Sequence, residues 1–205
     1  GVGFVPLAPI TSADALAPAI ANALGLALQG GDLRTLLCQL LRPKRLLLIL
    51  DNFEHLLTGD AVDLVVNLLE AAPGVQIIVT SRERLKLRSE QLYQVQALTF
   101  ATKATLAEAE AFAAVRLFVQ SVQRIQPAFQ LTAANLPAVL RICHLVQGMP
   151  LGLELAAANA YGAPLSAIAD AIAQSAEILS VDWRDLPARQ RSMRAVFEWS
   201  WRLLA

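Results

Sequence analysis

The sequence is poor in cysteine and has no net charge. Cys38 and Cys143 are its only two cysteines. Two cysteines cannot build a disulfide framework or a thiolate metal site, so we expect both to pack as small apolar side chains in a reducing compartment, the cytoplasm. The 17 lysines and arginines balance 17 aspartates and glutamates. This balance excludes a global field that would attract nucleic acid or an anionic membrane.

Long uninterrupted apolar runs are also lacking. The uncharged stretch 155–169 contains Asn159, Gly162 and Pro164, and it is shorter than the roughly 20 apolar residues that span a bilayer. We therefore predict no membrane partner. The 205 residues are 56% hydrophobic, enough to bury a core. The chain begins at Gly1 with neither a methionine nor a leader pattern, which we interpret as the edge of a longer sequence.

Strand and helix patterns alternate along the first hundred residues. Apolar runs predict strands at 4–7, 46–50 and 75–80, with a short further strand at 92–95. Helical periodicity lies between them, including a segment that Asp32 would cap and another at 60–72. The run at 46–50 is unbroken by polar residues, which is typical of a strand buried on both faces, and the largely β-branched and apolar run at 75–80 is predicted to be a second buried strand. This order predicts a parallel α/β sheet.

The second half of the sequence reads as helical. Periodicity predicts helices at 105–124, 132–147, 151–160 and 165–179, and Thr105 with Glu108 fits a capping box. Gly148 fits a helix stop and Pro150 a helix start. A new amphipathic segment then follows Asp185.

Two charged residues follow the predicted buried strands. Asp51 ends the run 46–50, and Arg82 comes just after the run 75–80. If the strands are parallel, both residues emerge at the carboxyl edge of the sheet, where such sheets bind ligands. A carboxylate there can hold Mg²⁺ through water, and an arginine can contact a phosphate. The alternatives are a polar residue that merely ends a strand and an arginine in a solvated loop.

Other candidate residues carry weaker signals. We interpret His55 and His144 as surface or packing histidines, because neither has partners at metal-ligand spacing. Glu54 reads as a carboxylate at a helix entry. Four aromatic residues are predicted to lie in the core rather than to form a stacking platform: Phe112, Phe118, Trp199 and Trp201.

Four segments of the sequence resemble known motifs. LLLILDNFEHLL at 46–57 is similar to a Walker B segment, and IIVTSR at 77–82 to a sensor 1 strand. GMPLGLELAA at 148–157 is similar to the GxP motif of a helical lid, and DLPARQRSMR at 185–194, with WSW at 199–201, to the entry to a winged-helix domain. In this order, the four segments together resemble the NB-ARC/STAND P-loop ATPase region of bacterial LuxR- or SARP-like regulators.

The resemblance implies an organisation and a set of roles. Residues 1–98 would be a nucleotide-binding α/β domain, 99–180 a helical lid and 181–205 the start of a winged helix. Asp51 would hold Mg²⁺ through water, Arg82 would sense the terminal phosphate of ATP, and Gly148 and Pro150 would contribute to the nucleotide site, with Pro150 against adenine. Asn52 stands where relatives can carry a second acid, which leaves the activation of water for hydrolysis open. Glu54 could substitute for this acid, although its interpretation as a helix-entry carboxylate is the favoured one.

The sequence departs from the family at its phosphate-binding loop. No Gly-x-x-x-x-Gly-Lys-Ser/Thr occurs, and Gly1 matches a position after that loop in the family. We therefore expect residues 1–205 alone to bind ATP or ADP poorly and to be inactive as an ATPase. In this class of sheet the strand before the loop lies beside the sensor 1 strand. Its absence would leave an unpaired edge, so the isolated chain is expected either to be poorly stable or to compensate by rearranging.

The function implied is that of an ATP/ADP signalling switch in a transcriptional regulator. Self-association of the active intact protein, and DNA binding through domains outside this chain, would follow from the resemblance. An alternative from another class is a nucleotide-free helical interaction module. A third hypothesis is direct DNA binding through a basic cluster, which would comprise Arg189, Arg191, Arg194 and Arg202.

Overall fold

Strand pairing organises the first part of the chain, and helix packing organises the second. The computed structural model describes residues 1–28, 30–57, 59–175, 177, 179–181 and 191–194. The chain divides into two units, Gly1–Tyr93 and Gln94–Ala205. Each unit has its own cluster of buried apolar side chains.

The first unit contains a three-stranded parallel sheet in the order β1-β2-β3. The strands are β1 (Val2–Pro6), β2 (Leu46–Asp51) and β3 (Val75–Val79). In the centre, Leu50 of β2 is level with Val5 of β1 and Val79 of β3. The predicted parallel α/β arrangement of this half is therefore confirmed.

Three helices accompany the sheet: α1 (Leu16–Ala23), α2 (Leu33–Leu41) and α3 (Gly59–Ala71). Asp32 caps α2 as predicted, because its carboxylate accepts hydrogen bonds from the backbone N–H groups of Arg34 and Thr35. A further hydrogen bond from the Thr35 hydroxyl is the main cause of the lowered pKa of Asp32. The helices and sheet bury a common core, which includes Leu16, Ile20, Leu37, Leu41, Leu48, Leu50, Leu64 and Leu68.

Only one face of the sheet is covered within the described residues. Leu48 and Leu50 are fully buried, whereas Phe4 is 55% and Ile78 50% exposed on the opposite face. The prediction that the strands are buried on both faces is therefore wrong for this chain. The apolar run 46–50 carries no alternation that would reveal an open face, but the helices α1, α2 and α3 all pack against the side that carries Leu48 and Leu50.

The second unit contains five described helices: α4 (Leu106–Ala109), α5 (Ala113–Ile125), α6 (Leu136–Leu145), α7 (Pro150–Ala158) and α8 (Leu165–Gln174). The capping box of Thr105 and Glu108 is confirmed. The single helix predicted at 105–124 is instead two helices. The N–H groups of Ala113 and Ala114, which open α5, donate to the side chain and carbonyl of Thr99.

The core of this unit confirms part of the packing prediction. Phe118 and Cys143 are fully buried, and Phe112 packs against the same cluster. Burial raises the pKa of the Cys143 thiol to about 12, so the thiol stays protonated and packs as an apolar side chain. Cys38, in the first unit, is partly buried, and desolvation raises its pKa as well. Trp199 and Trp201 lie outside the described residues.

Two predicted segments differ from what is described. Residues 92–95 form no strand, and Leu92, Tyr93 and Val95 are exposed. Most of the predicted winged-helix start, 181–205, lies outside the described residues, although Ser180 and Ser192 form an antiparallel bridge. None of the helices that are described is long and apolar enough to cross a membrane.

The open sheet face gives a first prediction. In residues 1–205 expressed alone, Ile78→Thr should change the free energy of unfolding by less than about 0.5 kcal/mol, as exposed substitutions do. Because it reduces an exposed apolar patch, it should also increase the soluble fraction after centrifugation. Ile77→Thr, on the covered face of the same strand, should cost about 1 to 2 kcal/mol. Equal destabilisation by the two substitutions would contradict a one-sided sheet.

Candidate functional site

Asp51 and Thr80 meet at the carboxyl edge of the sheet. Asp51 is the last residue of β2, and Thr80 directly follows β3. The Thr80 hydroxyl donates a hydrogen bond of 2.7 Å to Asp51 Oδ1 and accepts one of 2.9 Å from the backbone N–H of Asn52. One hydroxyl therefore fixes both the carboxylate and the backbone that follows it.

These two side chains belong to the open face of the sheet. Side chains alternate along a strand, so Asp51 continues the row of Leu47 and Ile49, opposite to the buried Leu48 and Leu50. By the same alternation, Thr80 follows the exposed Ile78. The candidate carboxylate is thus directed away from the core that the three helices share with the sheet.

Asn52 makes the turn that ends β2. Its φ is 70°, a left-handed conformation that asparagine tolerates better than most residues. Its side-chain nitrogen Nδ2 is buried and has no hydrogen-bond partner among the described residues. Buried amides are normally hydrogen-bonded, so this donor is suited to a ligand or water atom next to Asp51.

Arg82 is held by Glu54. Arg82 Nε lies 3.4 Å from Glu54 Oε1, and the Glu54 side chain is only 5% exposed while that of Arg82 is 41% exposed. Glu54 opens a 3₁₀ turn, Glu54–Leu56, consistent with its interpretation as a helix-entry carboxylate. Its contact with Arg82 was not predicted, because nothing in the spacing of the two residues reveals that the β2–β3 pairing brings them together.

His55 ties the same turn to the loop after β1. Its Nε2 lies 3.1 Å from the Leu7 carbonyl and 2.8 Å from the Ile10 carbonyl. Both carbonyls only accept hydrogen bonds, so Nε2 carries the proton. The packing role predicted for His55 is confirmed.

Gly148 and Pro150 lie in the second unit. Gly148 is buried with a φ of 64°, and its carbonyl accepts a hydrogen bond of 3.0 Å from the N–H of Leu98. A Cβ at this position would collide with the Leu98 carbonyl oxygen. Pro150 is exposed at the first position of α7. The backbone therefore requires glycine at 148 for reasons internal to this unit.

Among the residues that the structure describes, the remaining charged candidates do not assemble a second site. Within the described ranges, no three His, Cys, Asp or Glu residues cluster as metal ligands would. Of the predicted basic cluster, Arg189 and Arg202 lie outside the described residues. Arg194 forms an ion pair of 2.7 Å with Glu177, which partly neutralises its charge.

Sequence comparisons relate the whole chain to bacterial regulators. It is 36% identical over 205 residues to inferred HTH-type transcriptional regulators of Mycobacterium tuberculosis and Mycobacterium bovis. An uncharacterised Mycobacterium tuberculosis protein is 33% identical over 154 residues, which are 75% of this chain and 36% of that protein. No family model matches the chain, and no solved structure matches it. The match covers the whole of this chain but only 22% of the length of the regulators. The chain therefore resembles one region of a much larger protein.

The Thr80 bridge gives a second prediction. Thr80→Val removes the hydroxyl and leaves the Asn52 N–H without its acceptor, so the free energy of unfolding should fall by about 1 kcal/mol. Thr80→Ser retains the hydroxyl and should stay close to the parent protein in chemical denaturation. If the valine and serine variants are equally stable, the bridge does not hold this edge.

The Gly148 backbone gives a third prediction. Gly148→Ala would place a Cβ on a residue with a left-handed φ and bring this atom into collision with the Leu98 carbonyl oxygen. The substitution should therefore lower the free energy of unfolding by about 2 kcal/mol or more. Gly162→Ala is the matched control in the same unit, because its φ is −108° and its added Cβ would meet no atom within 4 Å. Thermal unfolding without nucleotide measures both, and similar melting temperatures for the two variants would contradict the structural requirement at 148.

Proposed function

We propose that this chain is the sensing and lid portion of an ATP/ADP-dependent signalling switch within a bacterial transcriptional regulator. In this proposal it belongs to the NB-ARC/STAND class of P-loop ATPases. Residues 1–98 are the nucleotide-binding α/β part, 99–180 the helical lid and 181–205 the start of a winged helix. Asp51 acts as the Walker B acid, Arg82 as the sensor of the terminal phosphate, and Gly148 with Pro150 as the GxP element.

The observation that supports the proposal most strongly is the grouping of charged and polar side chains at the carboxyl ends of the neighbouring strands β2 and β3. Asp51 and the Glu54–Arg82 pair follow neighbouring parallel strands, and Thr80 bonds directly to Asp51. A carboxylate and an arginine at the carboxyl ends of adjacent strands are the groups needed to hold a metal-bound phosphate, in the place where open α/β sheets bind ligands. This arrangement supports a phosphate site more directly than a nucleotide-free interaction module.

The donors at this edge suit Mg²⁺ and phosphate. Mg²⁺ in phosphate-transferring sites commonly keeps several waters and uses one or two carboxylates together with phosphate oxygens. A single carboxylate, Asp51, is therefore sufficient without a cluster of protein ligands. Asn52, the next residue in the chain, has a side-chain Nδ2 without a hydrogen-bond partner among the described residues, and this donor is a candidate to bind an oxygen of the same ligand. When bound, Mg²⁺ would neutralise phosphate charge at this edge.

The phosphate-binding loop would come from a segment outside these 205 residues. The inferred regulators that match this chain are several times longer, because the match covers 22% of their length. On its outer side, β3 has no strand partner among the described residues, and one sheet face is open. We propose that the strand and helix associated with the loop add to this edge and face.

The setting in transcription is proposed from the same relatives. Matching proteins are inferred HTH-type regulators, so DNA binding is assigned to domains outside this chain. Nucleotide state would control whether the lid and winged helix close on the sheet or open for self-association. The Arg194–Glu177 ion pair gives no support to direct DNA binding by the predicted basic cluster.

A nucleotide titration tests the proposal. In the longest natural polypeptide that contains this chain, labelled ATP and ADP should both bind in the presence of Mg²⁺. Asp51→Asn should weaken the Mg²⁺-dependent part of binding, whereas Asp60→Asn, an exposed carboxylate on α3, should not. Arg82→Ala should weaken ATP binding roughly tenfold or more while affecting ADP much less, since hydrogen bonds to charged groups contribute about 1.5 to 3 kcal/mol.

The control for Arg82 is Arg45→Ala. Arg45 directly precedes β2 and so lies at the amino edge of the sheet, away from Asp51. Its replacement should leave both affinities unchanged. Absence of ATP and ADP binding in the natural polypeptide would reject the switch and favour the nucleotide-free interaction module.

A further inference from the structure

The Glu54 side chain is a buried carboxylate beside the candidate phosphate sensor. It is 5% exposed, and its Oε1 lies 3.4 Å from Arg82 Nε. Removing a carboxylate from water is unfavourable unless a cation or hydrogen-bond donors compensate it. Arg82 supplies this compensation through the ion pair.

The backbone that carries Glu54 is anchored on both sides. Phe53 is fully buried before it, and Leu56 is 2% exposed after it. The Phe53 N–H donates to the Thr80 carbonyl at 3.0 Å, which links the turn to the end of β3. His55 adds the hydrogen bonds to the Leu7 and Ile10 carbonyls. Glu54 is therefore a fixed point relative to the strand ends.

The contact leaves much of Arg82 accessible. An arginine has five N–H donors, of which Nε supplies one and the two terminal nitrogens supply four. The ion pair runs through Nε, and 41% of the Arg82 side chain is exposed. Arg82 can therefore keep its ion pair with Glu54 while its terminal nitrogens stay available to a ligand at the sheet edge. If Arg82 moved away from Glu54 entirely, the buried Glu54 carboxylate would be left without a compensating charge, which is unfavourable.

We propose that Glu54 is the positioning residue for Arg82 and so sets the preference of this site for a nucleoside triphosphate over a diphosphate. This inference rests on the proposed function. Glu54 holds the guanidinium by Nε, so that its planar fork is pre-oriented for the oxygens of a terminal phosphate. Without this anchor, Arg82 samples many conformations and its advantage for the triphosphate falls.

The test compares nucleotide preference among matched variants of the longest natural polypeptide that contains the chain. The quantity measured is the ratio of affinities for a non-hydrolysable ATP analogue and for ADP. Glu54→Ala should lower this ratio roughly tenfold, close to the effect of Arg82→Ala, and the double variant should be no worse than either. Glu54→Gln keeps the shape and an acceptor, and should retain an intermediate ratio.

Glu90→Ala is the control for a purely structural carboxylate. Glu90 lies near Arg82 in sequence, and its oxygens accept from the N–H groups of Leu85 and Lys86 at 3.0 Å. It also pairs with Arg84 at 3.8 Å. Its loss should lower the melting temperature but leave the affinity ratio unchanged.

The outcomes distinguish the positioning role of Glu54 from the proposed nucleotide-binding function. An unchanged ratio in Glu54→Ala, with a lowered ratio in Arg82→Ala, overturns the positioning role alone. The same holds if Glu54→Ala weakens both nucleotides equally, since that is the effect of a general structural loss. If the parent polypeptide binds nucleotide but Arg82→Ala leaves the ratio of ATP-analogue and ADP affinities unchanged, the assignment of Arg82 as sensor is overturned. The positioning role of Glu54 is then overturned as well. No nucleotide binding by the parent polypeptide overturns the proposed function and this inference together.

Discussion

The parallel pairing of β2 with both of its neighbours is the constraint on which the candidate site depends. Pro6, Asp51 and Thr80 come level because the register is fixed along all three strands. Beyond the regular pairs, the Leu7 N–H donates to the Asp51 carbonyl and the Thr80 N–H to the Leu50 carbonyl, both within 3.0 Å. A shift of one residue in β2 would move Asp51 to the helix-covered face. Burial of Leu48 and Leu50 opposes that shift.

The turn after β2 converts this register into a site. The Asp51 side chain belongs to the open face, whereas the side chains of Phe53 and Leu56, which follow it closely in the chain, are buried in the core. The left-handed φ of Asn52 permits this sharp change of direction. The turn then presents Glu54 to Arg82, so the ends of β2 and β3 are joined by both a hydroxyl bridge and an ion pair. A small change in strand pairing would therefore disturb both charged groups.

Features set by local chemistry could be predicted from the sequence, whereas features set by distant contacts could not. The Asp32 cap, the Thr105–Glu108 box and the strands at β2 and β3 depend on neighbouring residues, and the structure confirms them. The break before α5 depends on Thr99, whose carbonyl and hydroxyl satisfy the opening N–H groups.

One-sided burial escaped prediction because the run 46–50 is apolar at every position. Such a run specifies a strand, but it carries no alternation that would show which face the helices cover. The pairing of Glu54 with Arg82 escaped for a related reason, since it requires the register of two strands and not a spacing along the chain. The assignment of Asp51 and Arg82 to nucleotide binding stays a prediction from resemblance, because it concerns a ligand and not the fold.

The candidate residues differ in how far the fold itself explains them. The left-handed backbone and the nearby Leu98 carbonyl account fully for Gly148, and the first turn of a helix accepts Pro150 without loss of a hydrogen bond. These two residues therefore add little independent support for a nucleotide. Folding explains less at the sheet edge, where Asn52 Nδ2 is a buried donor without a partner in the described part of the chain. Folding alone would not favour such a donor, so Asp51 and its neighbours give the proposed ligand more support than Gly148 and Pro150 do.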